Sequence, residues 1–320
     1  MALRGGIDLG GTKIEAIVVN DGHTVLGSSR HPTPTDGGPA AVVRELAAAV
    51  RAAAAAADIE VSALAGVGVG APGQVDREQG TLAKAANLPD WSDPFPLTAT
   101  LGEQLGIRVE LGNDVRVAVE AERLLGAGAA YNSFLGVWWG TGVGGAVVLD
   151  RKLWLGRGSA GELGHIVIKL DGARCPCGRR GCLEAYAGRG AMEQRARKAE
   201  QKGDKTKLFE LMHKHDRTRL TSGVWAAALE HGDKLAEKLI GEAVEALGAG
   251  VGSVVNLLDV EAVVIGGGLG TRFGQPYVEK IAKAAQPHLF VSDRPPAFLP
   301  AQLGDLGGAI GAALLVRDGG

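Results

Sequence analysis

Three cysteines, Cys175, Cys177 and Cys182, fall within eight residues of one another, and His165 stands ten residues before the first of them. Thiolates and an imidazole are the ligands that a tetrahedral structural zinc ion prefers, and four of them leave no coordination position for water. A disulfide, or three unrelated thiols, would use the same residues. An intracellular chain does not ordinarily keep a disulfide, and neither alternative gives a part to Glu162 and Glu184, the two carboxylates that flank the set. Gly178 and Gly181 let the backbone double back so that the thiolates converge. A zinc ion held there would order its loop by on the order of 10 kcal/mol.

A second group of residues suits anions. Asp8-Leu9-Gly10-Gly11-Thr12-Lys13 stands between an apolar run from Leu3 and another over residues 14–19. Two strands joined at Gly-Gly make a hairpin, and a tight turn is by itself a sufficient reason for the glycines. The flanking residues add chemistry: backbone N–H groups, the Thr12 hydroxyl and the Lys13 ammonium suit phosphate oxygens, and the Asp8 carboxylate suits a magnesium ion or its water shell. The spacing is not GxxxxGK[ST], which excludes a Walker-type loop. Gly140-Thr141-Gly142-Val-Gly-Gly repeats the pattern between Phe134–Trp139 and residues 146–149. A dinucleotide fingerprint must open a helix, whereas this loop returns directly to a strand, so Rossmann binding is excluded. Two related halves of this kind can hold a nucleotide between them. Gly266-Gly267-Gly268-Leu269 follows the apolar run 261–265, and bare backbone there admits an adenine or ribose; relief of crowding would use the same glycines. Asn113-Asp114 opens a helix, where an Asx pair ordinarily caps free N–H groups.

The elements that must carry these groups read as alternating strands and helices. Strands are expected at 64–70 and 108–111, with loops at 71–73 and 87–91 on the rim of a cleft. Nine of the eleven residues 47–57 are alanine, so 40–58 is expected to be a thin crossover helix against a sheet. Further helices are expected from Asp114 to about Leu125, over 233–258, and near the end over 304–316. The lysine-rich tract 194–220, with His213 and His215, reads as a solvated helix and loop on the outer face with no chemistry. At 320 residues the chain is long enough for two domains, and its 50 glycines are about twice the usual share, clustered in loops. A net charge of −2 gives no reason to expect nucleic acid or an anionic membrane as partner. No apolar run reaches membrane-spanning length and no signal peptide is evident, so a cytoplasmic location is expected.

The run Cys175-Pro-Cys177-Gly-Arg-Arg-Gly-Cys182-Leu-Glu184 resembles the zinc motif of the ROK family of sugar kinases and sugar-responsive repressors, and the Asp8–Lys13 loop resembles the first phosphate loop of actin-like ATPases and sugar kinases. The resemblance extends over nearly the whole chain. It implies an α/β, actin-like ATPase (ribonuclease H-like) two-domain sugar kinase fold with a nucleotide and sugar cleft between domains. Residues 1–112 plus about 303–320 would form the small domain, and 113–302 the large one with its zinc loop at 165–182. It implies ATP-dependent phosphorylation of a hexose, glucose first, with fructose, mannose or an N-acetylhexosamine as alternatives. Asp114 would be the general base, and Asn113, Glu162, His165 and Glu184 would hold sugar hydroxyls. Asp8, Gly10, Gly11, Thr12, Lys13, Gly140, Thr141, Gly142, Gly266, Gly267 and Gly268 would hold ATP and Mg2+, while His165, Cys175, Cys177 and Cys182 would hold structural Zn2+. Relatives form homodimers or homotetramers, so self-association is expected. Repressors of the family carry an N-terminal helix-turn-helix domain, which is not expected where the first hairpin begins at Leu3. A sugar sensor without turnover is the remaining rival. Two positions depart from the family pattern: Arg116, expected to run along its helix to solvent or to Glu120, and Trp138-Trp139, expected to pack in the core.

Overall fold

The structure is a computed structural model that describes residues 2–85 and 87–317. Its first compact unit runs to Leu125 and resumes at Asp305. Strand β1 (Leu3–Leu9) turns at the glycine pair and pairs antiparallel with β2 (Lys13–Val19), placing Asp8 opposite Glu15. Antiparallel β3 (Val25–Pro32) follows, then helix α1 (Gly38–Ala56), whose alanine-rich face carries no side chain beyond Cβ and therefore lies close on β2 and β3. Ser29 fixes that approach by donating from Oγ to the Ala49 carbonyl at 2.7 Å. Strand β4 (Leu64–Ala71) pairs parallel with β1; a small hairpin of β5 (Gln74–Asp76) and β6 (Thr81–Ala83) and helix α2 (Leu97–Leu105) lead to β7 (Val109–Asn113), parallel to β4, and to α3 (Asp114–Leu125). The sheet order is β3-β2-β1-β4-β7.

The second unit spans Gly126–Gly304. Strands β8 (Phe134–Trp139), β9 (Val143–Leu149) and β10 (Lys152–Trp154) repeat the antiparallel run around the second glycine loop. Helices α4 (Glu184–Ala187), α5 (Arg189–Gln201), α6 (Leu208–Lys214), α7 (Ser222–Glu230) and α8 (Lys234–Leu258) precede β11 (Ala262–Gly266), α9 (Gly267–Ala285) and β12 (Ala297–Pro300). The sheet order β10-β9-β8-β11-β12 matches that of the first unit strand for strand, two antiparallel neighbours on one side and two parallel ones on the other. The last helix, α10 (Gly307–Ala313), rejoins the first unit and packs on α3, β1 and β4.

Each unit has its own apolar core. Ile7, Leu9, Ile14, Val18, Leu46 and Val69 centre the first; Trp139, Trp225, Leu183, Leu247 and Val263 centre the second. The 194–220 tract departs from its expected outer-face position, because α5 and α6 put Ala196, Leu208, Phe209, Leu211 and Met212, with Met192 just before the tract, into the second core and leave Lys198 and Lys214 exposed. His213 and His215 are exposed. Of the two tryptophans expected in the core, Trp139 is there and donates from Nε1 to the Ala187 carbonyl at 2.7 Å. Trp138, pointing to the other face of the strand, is only half-buried and lies against Gly266.

Candidate functional site

In the first unit the C-terminal ends of β1, β4 and β7 lie side by side, with Asp8 in register with Gly70 and Gly70 with Gly112. Asp8 and Gly112 are thus two strands apart, roughly 10 Å between backbones. Asp114 follows two residues later, on the first turn of α3. Asn113 does cap that helix: its Oδ1 accepts from the Arg116 N–H at 3.2 Å, which leaves its amide hydrogens for another partner. Asp114 Oδ1 accepts from the Val115 N–H at 2.9 Å, using one oxygen of the carboxylate. Glu120, the acid expected for Arg116, is held by Arg123, whose Nε and Nη2 donate to it at 2.6–2.7 Å.

Asp8 is half-buried and lies against the glycine-rich start of α10, where a Cβ at Gly308 would come within 2.8–2.9 Å of its carboxyl group. Burial, and then the negative charge of Asp114, raise the Asp8 pKa from 3.8 to about 7; Glu15 and Asp305 add to the rise and Lys13 opposes it. Lys13 Nζ lies 3.5 Å from Glu15 and 3.8 Å from Asp305, and Arg30 reaches the same two acids at 2.5 and 3.3 Å. Four carboxylates therefore share two cations, a surplus of negative charge that fits a divalent cation. The glycine turn is pinned by Gly10 N–H donating to the Lys13 carbonyl at 2.9 Å and by Thr33 Oγ1 donating to the Gly10 carbonyl at 2.6 Å. Gly11 packs against Asn87, which draws the 87–91 loop to the turn.

Because the folded chain holds the Asp8 proton more tightly than the unfolded chain, stability contributed by protonated Asp8 is present at about pH 4 and lost as pH rises through about 7. In the metal-free protein, Asp8→Asn is expected to raise Tm by a few degrees at pH 8 and to leave it unchanged near pH 4, read by thermal denaturation across pH. An equal difference at both pH values would contradict the charge crowding.

In the second unit the ligand atoms of His165, Cys175, Cys177 and Cys182 all lie within 4.8 Å of one another. Cys177 and Cys182 sulfurs are 3.7 Å apart, and Cys175 Sγ is 3.9 Å from His165 Nδ1. A tetrahedral zinc with bonds near 2.3 Å needs ligand pairs about 3.8 Å apart, so the set fits that ion. Burial pushes the Cys175 thiol up to about 12. Desolvation would raise Cys177 too, but hydrogen bonds from the Arg179 backbone, Cys175 and the Arg179 side chain bring it down to about 6.

The same loop positions two of the expected sugar residues. Glu184 Oε1 lies 3.9 Å from Cys175 Sγ, and Oε2 accepts from the Val143 N–H at 3.0 Å. A Cβ at Gly142 would overlap that carboxylate, so a side chain there would displace Glu184 from its bond to Val143. His165 sits at the end of a short 3-10 turn that starts from Glu162, its N–H donating to the Glu162 carbonyl at 3.0 Å. Gly140 and Gly268 face each other, a Cβ on the first falling 3.7 Å from the second's nitrogen, so two of the glycine loops form one surface. Gly267 has φ of 80° with the Trp139 backbone 2.8 Å from its Cβ position, which admits no side chain. Sequence reasoning missed Glu15, Arg30, Asp305 and Gly308. A carboxylate inside the apolar run 14–19 was the available signal for the first.

Two units that repeat one sheet order, each closing its antiparallel pair on a glycine loop, define an α/β protein of the actin-like ATPase fold. The chain belongs to the ROK family, whose sequence pattern matches residues 4–319. It is 32% identical over 321 residues to a glucokinase of Thermotoga maritima, covering 98% of this chain and 96% of the relative. An N-acetyl-D-glucosamine kinase of Haemophilus influenzae is 32% identical over 325 residues, covering 97% of this chain and 98% of the relative. The crystal structure of a ROK family glucokinase from Streptomyces griseus in complex with glucose and AMPPNP is similar with a TM-score of 0.83 at 32% identity, covering 99% of this chain and all of that one. No helix among the described residues is long and apolar enough to cross a membrane.

Proposed function

We propose that the protein is an ATP-dependent hexose kinase that converts glucose to glucose 6-phosphate. The observation that carries it is the full-length likeness to a glucokinase with glucose and a nucleotide analogue bound, at a TM-score of 0.83. Phosphoryl transfer asks the protein mainly to align two substrates and to offset spreading negative charge. Asp114 accepts the proton of the attacking hydroxyl. Asn113, Glu162, His165 and Glu184 hold the other hydroxyls, two carboxylates being suited to orienting a polyol. With Nδ1 turned to the thiols, His165 has Nε2 left for a sugar oxygen. The N–H groups of Gly10–Lys13 and Gly140–Gly142, with Lys13, receive the phosphates, and Gly266–Gly268 receive the adenosine.

Asp8, with Asp114 beside it in charge, would hold Mg2+, which supplies neutralisation of the phosphates. His165, Cys175, Cys177 and Cys182 would hold Zn2+, which supplies rigidity to the loop bearing His165 and Glu184 and no chemistry, since all four positions are protein ligands. All three cysteines are free thiols, which supports a reducing, cytoplasmic setting. Self-association as a homodimer or homotetramer belongs to the same proposal.

An N-acetylhexosamine is the second substrate to weigh, because a kinase for N-acetyl-D-glucosamine stands at the same 32% identity as the glucokinase of T. maritima. Pockets separate such sugars by one or two hydroxyl contacts, and a buried polar group left unpaired by the wrong sugar can cost about 10⁴-fold in kcat/KM. ADP release measured with glucose, mannose, fructose and N-acetylglucosamine tests the assignment. Glucose is expected to give the largest kcat/KM; a sugar that binds tightly while none stimulates ADP release would make the protein a sensor.

A further inference from the structure

Arg189, the first residue of α5, and its neighbour Gly190 tie that helix to the second glycine loop three times. Its Nη2 donates to Thr141 Oγ1 at 2.7 Å, its backbone N–H donates to the Gly140 carbonyl at 3.1 Å, and the next N–H, of Gly190, donates to the Thr141 carbonyl at 2.9 Å. The guanidinium is half-buried, yet no carboxylate among the described residues reaches it. Glu193, one turn further along α5, is taken by Arg197 at 2.8 Å, by Arg219 at 3.1 Å and by the Leu220 N–H at 3.1 Å. Burial, and then the positive charge of Arg219, hold the Arg189 guanidinium below the ordinary arginine value, with the charge of Glu193, out of contact, only partly opposing them. A partly desolvated cation whose side chain meets only a neutral hydroxyl is electrostatically incomplete, and an incoming anion completes it. The planar guanidinium keeps further N–H donors after the one given to Thr141, in a fork that matches phosphate oxygens. A brace that only stiffened the loop would need no charge.

We propose that Arg189 binds a terminal phosphate of the nucleotide from the Thr141 side and so sets the preference for a di- or triphosphate over the bare nucleoside. This rests on the kinase reading of the glycine loops, and the test separates the two. Equilibrium binding of ATP, ADP and adenosine to the full-length protein is compared for wild type, Arg189→Gln and Arg189→Lys, with glucose binding and Tm measured on each. A charge-assisted hydrogen bond is worth about tenfold or more in affinity, so Arg189→Gln is expected to weaken ATP and ADP by that much, with adenosine and glucose within about twofold. Arg189→Lys, which keeps the charge and loses the fork, is expected to fall between. Unchanged ATP affinity in folded Arg189→Gln, or equal weakening of ATP and adenosine, would reduce Arg189 to a loop brace and overturn the proposal. If the glutamine variant does not fold, the lysine variant decides by the same comparison. A wild-type protein that bound neither ATP nor ADP would overturn the kinase reading first, and this inference with it.

Discussion

Asp114→Asn is expected to lower kcat with glucose by about 10²- to 10⁴-fold while glucose affinity stays within about threefold. The substitution keeps the shape of the side chain and removes only its ability to take a proton. The hydrogen bond from the Val115 N–H to Oδ1 can be kept by an amide oxygen, so the fold is expected to hold, with Tm unchanged near pH 4 and somewhat raised at pH 8 because a charge beside Asp8 is gone. A second effect follows from the charge map. Asp114 is the largest charge raising Asp8, so its removal should lower the Asp8 pKa from about 7 toward the ordinary carboxylate range. Rates from a coupled assay and affinities from calorimetry check the first effect. Full activity in Asp114→Asn would leave the residue with no part in the chemistry.

Cys177→Ser is expected to cost several kcal/mol of stability and to take bound zinc from one per chain to none. Position makes this a sharp test. Cys175 and Cys182 are buried, so replacing either disturbs packing as well as ligation, whereas Cys177 is exposed. An exposed thiol replaced by a hydroxyl ordinarily changes stability by no more than about 0.5 kcal/mol. Any larger loss reports the ion. Because Cys175 lies 3.9 Å from both His165 Nδ1 and Glu184 Oε1, slackening of the thiol loop should reach the sugar residues, and glucose affinity is expected to fall about tenfold. Metal analysis, thermal denaturation and glucose titration on the same preparation check it. A zinc-free variant with normal glucose affinity would separate the metal from the sugar site.

What the sequence made legible is what is local in the chain. The glycine turn after Asp8 and the one after Trp139 stand where the hairpin pattern places them, because two strands and their turn are one contiguous stretch. The thiol cluster is likewise a matter of ten residues and one upstream histidine. The charge network around Lys13 was hidden because Arg30 meets Asp305 across 275 positions of chain, a pairing that only the return of α10 creates. Arg189 was hidden for a related reason: its partner Thr141 lies 48 positions away, and an arginine at the start of a helix looks like any solvated charge. The 194–220 tract misled by composition. Its nine lysines and arginines outnumber the apolar residues that α5 and α6 turn inward, and short amphipathic helices announce themselves weakly. Trp138 was misplaced because alternation along β8 sends neighbouring side chains to opposite faces, and only one face of that strand meets the helical core.

The most direct measurement of the central claim is product balance. Purified protein is mixed with ATP, Mg2+ and glucose, and ADP and glucose 6-phosphate are quantified in the same sample over time. Equal amounts of the two, with no ADP when glucose is left out and almost none with Asp114→Asn, are the expected result. Glucose bound tightly without either product, or ADP formed at the same rate with and without sugar, would contradict it.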